Sequence, residues 1–350
     1  MDTILSPRRR GLVLGAVGAL ALAGCGRPPS TNNSSGYLQF GGSTMGSTYT
    51  VKLDAAGQDA AALRALVQAT LDDIDWRMSL FREDSELSAF NRAEAGVPFA
   101  MTEGFAAVLA AAVDVSHWSG GAFDVTVAPL VETWGFGTRK TRTVPAVAVV
   151  ADGRRRVDWR SLTLDESKRS VTKRHPGLQA DLGGIAKGYG VDRVAAALDA
   201  RGVRHYMIEA GGEVRTRGVN AVGEPWRIGI EEPDAMPQRA RWAVPLSGKS
   251  MATSGDYRNF FIQDGRRYSH EIDPVTGVPI QHRVCSVTVV ADDCMHADAL
   301  ATALIVLGPD KGRVLAERSG VSAQFIERLP GGSFRDSMTT SFAAMGAARA

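Results

Sequence analysis

The sequence predicts an α+β fold, with mixed or antiparallel sheets flanked by helices. Two long stretches with helical spacing stand in the N-terminal half, and a succession of short strand patterns fills residues 205–292. Helices and strands alternate without the regular spacing of a doubly wound parallel sheet. The length suits one large globular unit or two interlocked subdomains.

The first element is not part of that unit. Arg8-Arg9-Arg10 precede an uncharged apolar run from Gly11 to Leu22 that is too short to span a bilayer, and Leu22-Ala23-Gly24-Cys25 closes it. A basic start, a short apolar run and small residues at a cut site describe a secretory signal. A cysteine directly after Leu-Ala-Gly matches the bacterial lipobox pattern. The expected mature chain therefore begins at Cys25, lipidated, exported and anchored at the periplasmic face of a bacterial membrane. A plain signal peptide with an incidental cysteine is the blander alternative, and the triple arginine leaves room for twin-arginine export. Residues 25–36 are polar and rich in Gly and Pro and read as a flexible tether. The folded domain is expected over residues 37–345.

Charge and cysteine content narrow the function classes. The three arginines and one aspartate of residues 1–24 account for the whole net charge of +2, so the remainder is neutral and offers no nucleic-acid surface. Cys285 and Cys294 are the only cysteines beyond Cys25. An exported compartment permits a disulfide between them, and buried thiols are the equal alternative. No Cys/His spacing of zinc-site type occurs.

Along the chain, Thr48–Leu53 alternates as a strand. Residues 58–76 carry Leu63, Leu66, Val67, Leu71 and Ile74 at helical spacing. Residues 103–119 form a second helix, stopped by Gly120-Gly121. Residues 138–175, basic and mixed in sign, read as a loop with short strands. Asp181–Ala200 begins Gly-rich and turns helical. Strand patterns follow at His205–Glu209, Trp226–Glu231, Trp242–Leu246, Tyr268–Ile272 and Cys285–Ala291. Asp298–Leu307 is helical, and a helix–strand pair continues to about 328.

Five stretches carry residues suited to chemistry. Asp181-Leu182-Gly183-Gly184-Ile185-Ala186-Lys187-Gly188 leads into a helix and offers backbone N–H groups and a lysine to phosphate, or makes a tight turn. It is not a P-loop, because Tyr189 stands where lysine is required, nor a dinucleotide fingerprint, because Arg193 replaces the third glycine. Glu209–Glu213 is a close-approach segment or a hairpin. Met251–Tyr257, with Thr253 and Ser254, lines a pocket or forms a polar turn. Asp298 and Thr302, four apart on a helix, share one face and suit one hard cation such as Mg²⁺; otherwise they favour the helix dipole and turn inward. His270 has an ordinary pKa near neutrality and suits a general base, or is structural.

The order of these stretches carries more than any one of them. Thr44-Met45-Gly46-Ser47-Thr48-Tyr49 comes first, followed by Met78-Ser79-Leu80-Phe81 with Ser85-Glu86-Leu87-Ser88. Gly121-Ala122-Phe123-Asp124-Val125-Thr126 precedes the Asp181–Gly188 segment. Gly211-Gly212, Ala252–Tyr257, His270-x-Ile272-Asp273-Pro274-x-Thr276-Gly277 and Ala297–Thr302 follow in series. The series resembles the ApbE family of exported FAD:protein FMN transferases over about residues 40–310.

That resemblance implies an ApbE-like fold and an Mg²⁺-dependent enzyme. It would transfer the FMN half of its substrate FAD to a threonine or serine hydroxyl and release AMP. Its partners would be subunits of membrane redox complexes carrying a Ser/Thr-Gly-Ala-Thr-like sequence. Residue by residue, it implies flavin-side contacts at Met45 and Phe81, a binding segment at Ala122, Phe123 and Asp124, and FAD contacts at Asp181 and Lys187. Thr253, Ser254 and Ile272 complete the implied cofactor set. The Gly184 carbonyl with Asp298 and Thr302 matches the metal site, and His270 matches the proton acceptor. The chain departs from the family at three positions. Phe81 stands where tyrosine is usual, Ser47 replaces a usual threonine, and Glu271 stands at a commonly apolar or histidine position.

Two rivals remain from sequence alone. A hydrolase would split FAD into FMN and AMP with water as acceptor. A flavin-binding lipoprotein would need the pocket but neither the metal pair nor the base.

Overall fold

The structure, a computed structural model, describes residues 37–350; the expected signal, the lipid site Cys25 and the tether lie outside the described residues. The chain enters through a hairpin of β1 (Tyr37–Thr44) and β2 (Ser47–Asp54). There follow α1 (Ala60–Met78), α2 (Glu86–Arg92), the short β3 (Phe99–Ala100), α3 (Glu103–Trp118), α4 (Ala128–Thr133) and α5 (Val147–Arg154). β4 (Leu162–Asp165) and β5 (Ser170–Lys173) then lead to α6 (Ala186–Ala200). Next come β6 (Tyr206–Ala210), β7 (Glu213–Arg217), β8 (Trp226–Glu231), β9 (Ala240–Leu246) and β10 (Ser250–Gly255). The ribbon β11 (Phe260–Gln263) and β12 (Arg266–Ser269) precedes β13 (Ile272–Asp273), β14 (Val278–Pro279) and β15 (Val284–Ala291). The chain closes with α7 (Cys294–Arg318), β16 (Ser322–Arg328), β17 (Phe334–Met338), α8 (Thr340–Ala343) and β18 (Ala348–Arg349).

Eight strands form the main sheet in the order β1-β2-β6-β7-β10-β15-β16-β17. Every strand ladder among the described residues is antiparallel, and the one parallel pairing is the isolated bridge Val127–Gln179. This bears out the α+β expectation. Antiparallel pairing lets each strand alternate between two buried faces. Ala252, Val287, Val289, Ala323 and Phe325 pack with Ala301, Leu304 and Ile305 of α7 on one face. Met251, Cys285, Val290 and Ile326 pack on the other with Ile230 and Val244 of the β8–β9 hairpin and Phe342 of α8. At the far end, α1 and α6 cover β1, β2 and β6 with Leu63, Val67, Leu71, Val191, Val194 and Leu198.

Local chemistry sets the helix boundaries. Asp59 caps α1 by accepting from the N–H groups of Ala61 and Ala62, and Thr102 caps α3 through the Phe105 N–H. Asp293 caps α7 by accepting from the His296 N–H. The helix kinks at Gly308 (φ 77°), followed by Pro309, which cannot continue the hydrogen-bond ladder.

Several sequence expectations needed correction. β1 is a full strand that the run Gly41-Gly42-Ser43-Thr44 conceals. The stretch 138–175 contains α5, whose valines Val147 and Val149 are exposed and so carry no amphipathic signal. Met251–Tyr257 is largely the strand β10 rather than a turn. The Tyr268–Ile272 strand is broken at His270-Glu271. Secondary structure also continues past residue 345, since β18 pairs with Ala243 and Trp242 of β9. Cys285 and Cys294 are both free, buried thiols.

Candidate active site

The loop from Asp181 to Ile185 folds back on itself because Asp181 Oδ1 accepts the Gly183 N–H at 2.7 Å. This brings Gly184 against α7. A Cβ on Gly184 would stand 2.9 Å from Thr302 Oγ1 and 3.2 Å from Phe123 Cε2, so only glycine allows this approach. One turn further on, the Gly188 N–H donates to Asp298 Oδ2 at 3.1 Å. A Cβ on Gly188 would overlap the Cys294 carbonyl. Thr302, four residues beyond Asp298 on the same helical face, lies 3.1 Å through its Oγ1 from Ser254 Oγ of β10. Gly184, Phe123, Ser254, Asp298 and Thr302 thus meet where α6 begins and α7 crosses the sheet.

Lys187 supplies the positive charge. Its Nζ lies 2.6 Å from Glu213 Oε1 and 3.9 Å from Asp298 Oδ1. Glu213 and Asp298 are almost wholly buried. Burial pulls the ammonium's pKa down, but the two carboxylates outweigh it and hold Lys187 in its charged form above the usual lysine value. Burial raises the pKa of Asp298, with Lys187 and the Gly188 N–H opposing. Glu213 Oε2 is buried with no hydrogen-bond partner among the described residues. Sequence reasoning missed Glu213 as a site residue. It lies in a different element from Lys187, and no local pattern joins the two.

His270 follows β12, and its N–H donates to the Asn259 carbonyl at 3.0 Å. Its side chain stays 39% exposed, yet Nδ1 is buried and unpartnered among the described residues. Burial pulls its pKa down to about 4, and nearby Lys187 adds to this, so the imidazole is neutral at neutral pH. Asp181 lies close enough to oppose that shift.

The ApbE family model matches residues 45–325 of this chain. The chain belongs to the ApbE family. The FAD:protein FMN transferase of Haemophilus influenzae is 41% identical over 322 residues, covering 90% of this chain and 91% of the relative. The enzyme of the same name from Vibrio cholerae is 40% identical over 326 residues, covering 92% and 95%. The solved structure of the flavin transferase ApbE from Vibrio cholerae superposes with a TM-score of 0.81 at 40% identity, covering 88% of this chain and 99% of that one.

Within this ApbE-family chain, the remaining expected site residues fall into distinct settings. Met45 occupies the two-residue turn between β1 and β2 at φ 46°, a left-handed conformation unusual for its side chain. The turn brings its side chain onto the helical core, where a Cβ on Gly190 would lie 3.1 Å from Met45 Cε. Phe81 is 66% exposed just beyond α1, a large aromatic ring presented to solvent. Ala122 and Phe123 are buried, and the Phe123 N–H donates to Ser119 Oγ at 3.0 Å.

Three side chains are engaged elsewhere. Asp124 accepts from the Thr126 N–H and Oγ1 at 2.8 and 2.7 Å and from the Trp159 N–H at 3.2 Å, so its carboxylate holds the scaffold together. Ile272 is buried among Leu130, Trp134 and Phe136. Thr253 turns to the opposite face of β10 from Ser254 and bonds Thr288 Oγ1 at 2.8 Å. Strand alternation forces that separation of neighbours.

Proposed function

We propose that this protein transfers the FMN half of FAD to a threonine or serine hydroxyl of an acceptor protein and releases AMP, with Mg²⁺ as the required ion. The observation that carries the reading is the meeting of Asp298, Thr302 and Gly184 beside Lys187 in an ApbE-family chain. A carboxylate, a hydroxyl and a backbone carbonyl are hard oxygen donors and fit Mg²⁺, which keeps several waters and takes phosphate oxygens. Among the described residues no three His, Cys, Asp or Glu side chains cluster for a metal, but a set with one carboxylate is not of that kind. The ion would be held by Asp298, Thr302 and the Gly184 carbonyl. When bound it supplies charge neutralisation on the pyrophosphate.

The chain's own residues do the rest. Lys187 places its charge beside the metal set and stabilises the phosphates as the AMP oxygen leaves. Neutral His270 takes the proton of the acceptor hydroxyl as its oxygen forms the new P–O bond. The glycine-lined junction lets the dinucleotide approach the backbone. Exposed Phe81 offers a stacking face to the flavin ring. A lipid on Cys25 would hold the enzyme beside membrane-bound acceptors at the periplasmic face and raise their effective concentration.

The test is mass spectrometry of a Ser/Thr-Gly-Ala-Thr-type peptide incubated with the protein, FAD and Mg²⁺. The expected result is a mass gain equal to an FMN phosphoester that EDTA abolishes. AMP release without peptide modification, across several acceptors, would replace the transferase reading with a hydrolase. A soluble Cys25→Ala protein alongside a membrane-bound parent would support the anchor.

A further inference from the structure

We propose that Glu271 is the charge partner of His270: its carboxylate, 3.7 Å through Oε1 from His270 Nε2, stabilises the imidazolium formed when Nε2 takes the acceptor's proton. The inference rests on the transfer reading above and adds a positioning residue to it.

The backbone places the two side chains together. β12 ends at Ser269 and β13 begins at Ile272, so His270 and Glu271 occupy the break between them. The His270 N–H donates to the Asn259 carbonyl at 3.0 Å, and the Glu271 carbonyl accepts the Ile280 N–H at 2.9 Å. These two bonds fix the backbone at both residues, from which the side chains reach one another.

Glu271 has no other account. It is 7% exposed, and the ion-pair contact that its carboxylate makes is with His270 Nε2. A buried carboxylate is costly and is retained where a charge is required nearby. Asp256 and Asp298 act on it through their negative charge and Lys187 through its positive charge. Lys187 is already paired with Glu213, and Asp256 is paired with Arg328 at 3.0 Å. The imidazole is the cation-forming group within ion-pair distance of it. Burial, with Asp256 adding to it, pushes the Glu271 pKa up to about 8, while His270 is pulled down to about 4. Between those values the pair's one proton sits on Glu271, so the carboxylate that the step uses forms as pH rises toward 8. Nδ1 is buried, so Nε2 is the nitrogen that meets a hydroxyl.

The step balances. The acceptor O–H breaks and its proton goes to Nε2; the oxygen's electron pair forms the bond to the FMN phosphorus. The P–O bond to AMP breaks with its pair on AMP. The proton then leaves to solvent through the exposed part of the ring.

The test is an NMR titration of the full chain labelled at histidine Cε1, with the His270 signal assigned by His270→Gln. In the parent, that signal is expected to move twice between about pH 4 and 10, once for its own protonation and once for ionisation of Glu271. Glu271→Gln should abolish the upper step. Identical curves in parent and variant overturn the proposal. No FAD or acceptor is needed, so a protein that transfers nothing counts against the transfer reading alone. In the peptide assay, Glu271→Gln should lower kcat by about 10-fold or more with the FAD KM within about 3-fold, and Glu271→Asp should restore part of the rate. A change confined to KM, in a variant that folds normally, also overturns it.

Discussion

Ser254 Oγ lies 3.1 Å from Thr302 Oγ1, fastening the central strand β10 to the helix that carries Asp298. The contact exists because Ala252 and Ser254 are small and share the face of β10 that packs under α7. It fixes the height of Thr302 over the sheet and thereby its distance from Gly184. The site is thus built on a strand, the body of α7 and a loop closed by its own hydrogen bond, which suits chemistry that depends on positioning.

Asp298→Asn keeps an oxygen to accept the Gly188 N–H but removes the charge. FMN transfer at limiting Mg²⁺ should fall by at least about 100-fold, with unfolding free energy changed by no more than about 1 kcal/mol. Initial rates across a Mg²⁺ titration check this. An unchanged rate and Mg²⁺ requirement would remove the metal assignment.

Gly188→Ala reverses an ordinary rule. In a helix, alanine normally stabilises by about 0.5–1 kcal/mol relative to glycine. Here the new methyl would overlap the Cys294 carbonyl and stand 2.9 Å from Asp298 Cβ. The variant should therefore unfold more easily by about 2–3 kcal/mol. Urea denaturation measures it, and a stabilised variant would contradict the α6–α7 contact.

Phe81→Ala should leave stability within about 0.5 kcal/mol, because the ring is already largely in water. FAD affinity should fall by about 10-fold and be retained in Phe81→Tyr. Flavin fluorescence titration separates the two effects. Equal affinity in all three proteins would show that the ring does not meet the flavin.

Glu271 also predicts how stability depends on pH. Its folded pKa, about 8, lies above the ordinary glutamate value of 4.5. The native state therefore binds the extra proton between those values. Its stabilising contribution is complete below the ordinary value and is lost as pH rises through the folded one. The melting temperature of Glu271→Gln relative to the parent should climb from about pH 5 to pH 9. Calorimetry at several pH values checks this, and a constant difference would place Glu271 in water.

Much of the fold was legible because burial writes a period into the sequence. Leu63, Val67, Leu71 and Ile74 announce α1 and are all buried. The helix α5 was not legible, because its exposed valines obey no core. The candidate site was legible as motifs, but not as a constellation. Nothing local separates Thr253 from Ser254, yet one bonds Thr288 on the far face and the other Thr302 at the site. Asp124 sits in a recognisable segment, but Thr126 and Trp159 occupy its carboxylate.

The sequence by itself determined the α+β class, the long helices and several strands of the main sheet, because these depend on side-chain periodicity. It also determined the family, through the order of its motifs. Tertiary structure alone decided which charges meet. Lys187 finds Glu213 on a different element, and His270 finds Glu271 because both lie in the break between β12 and β13. Coulomb interactions and burial act through space, and only the packed sheet and helices bring those distances into being.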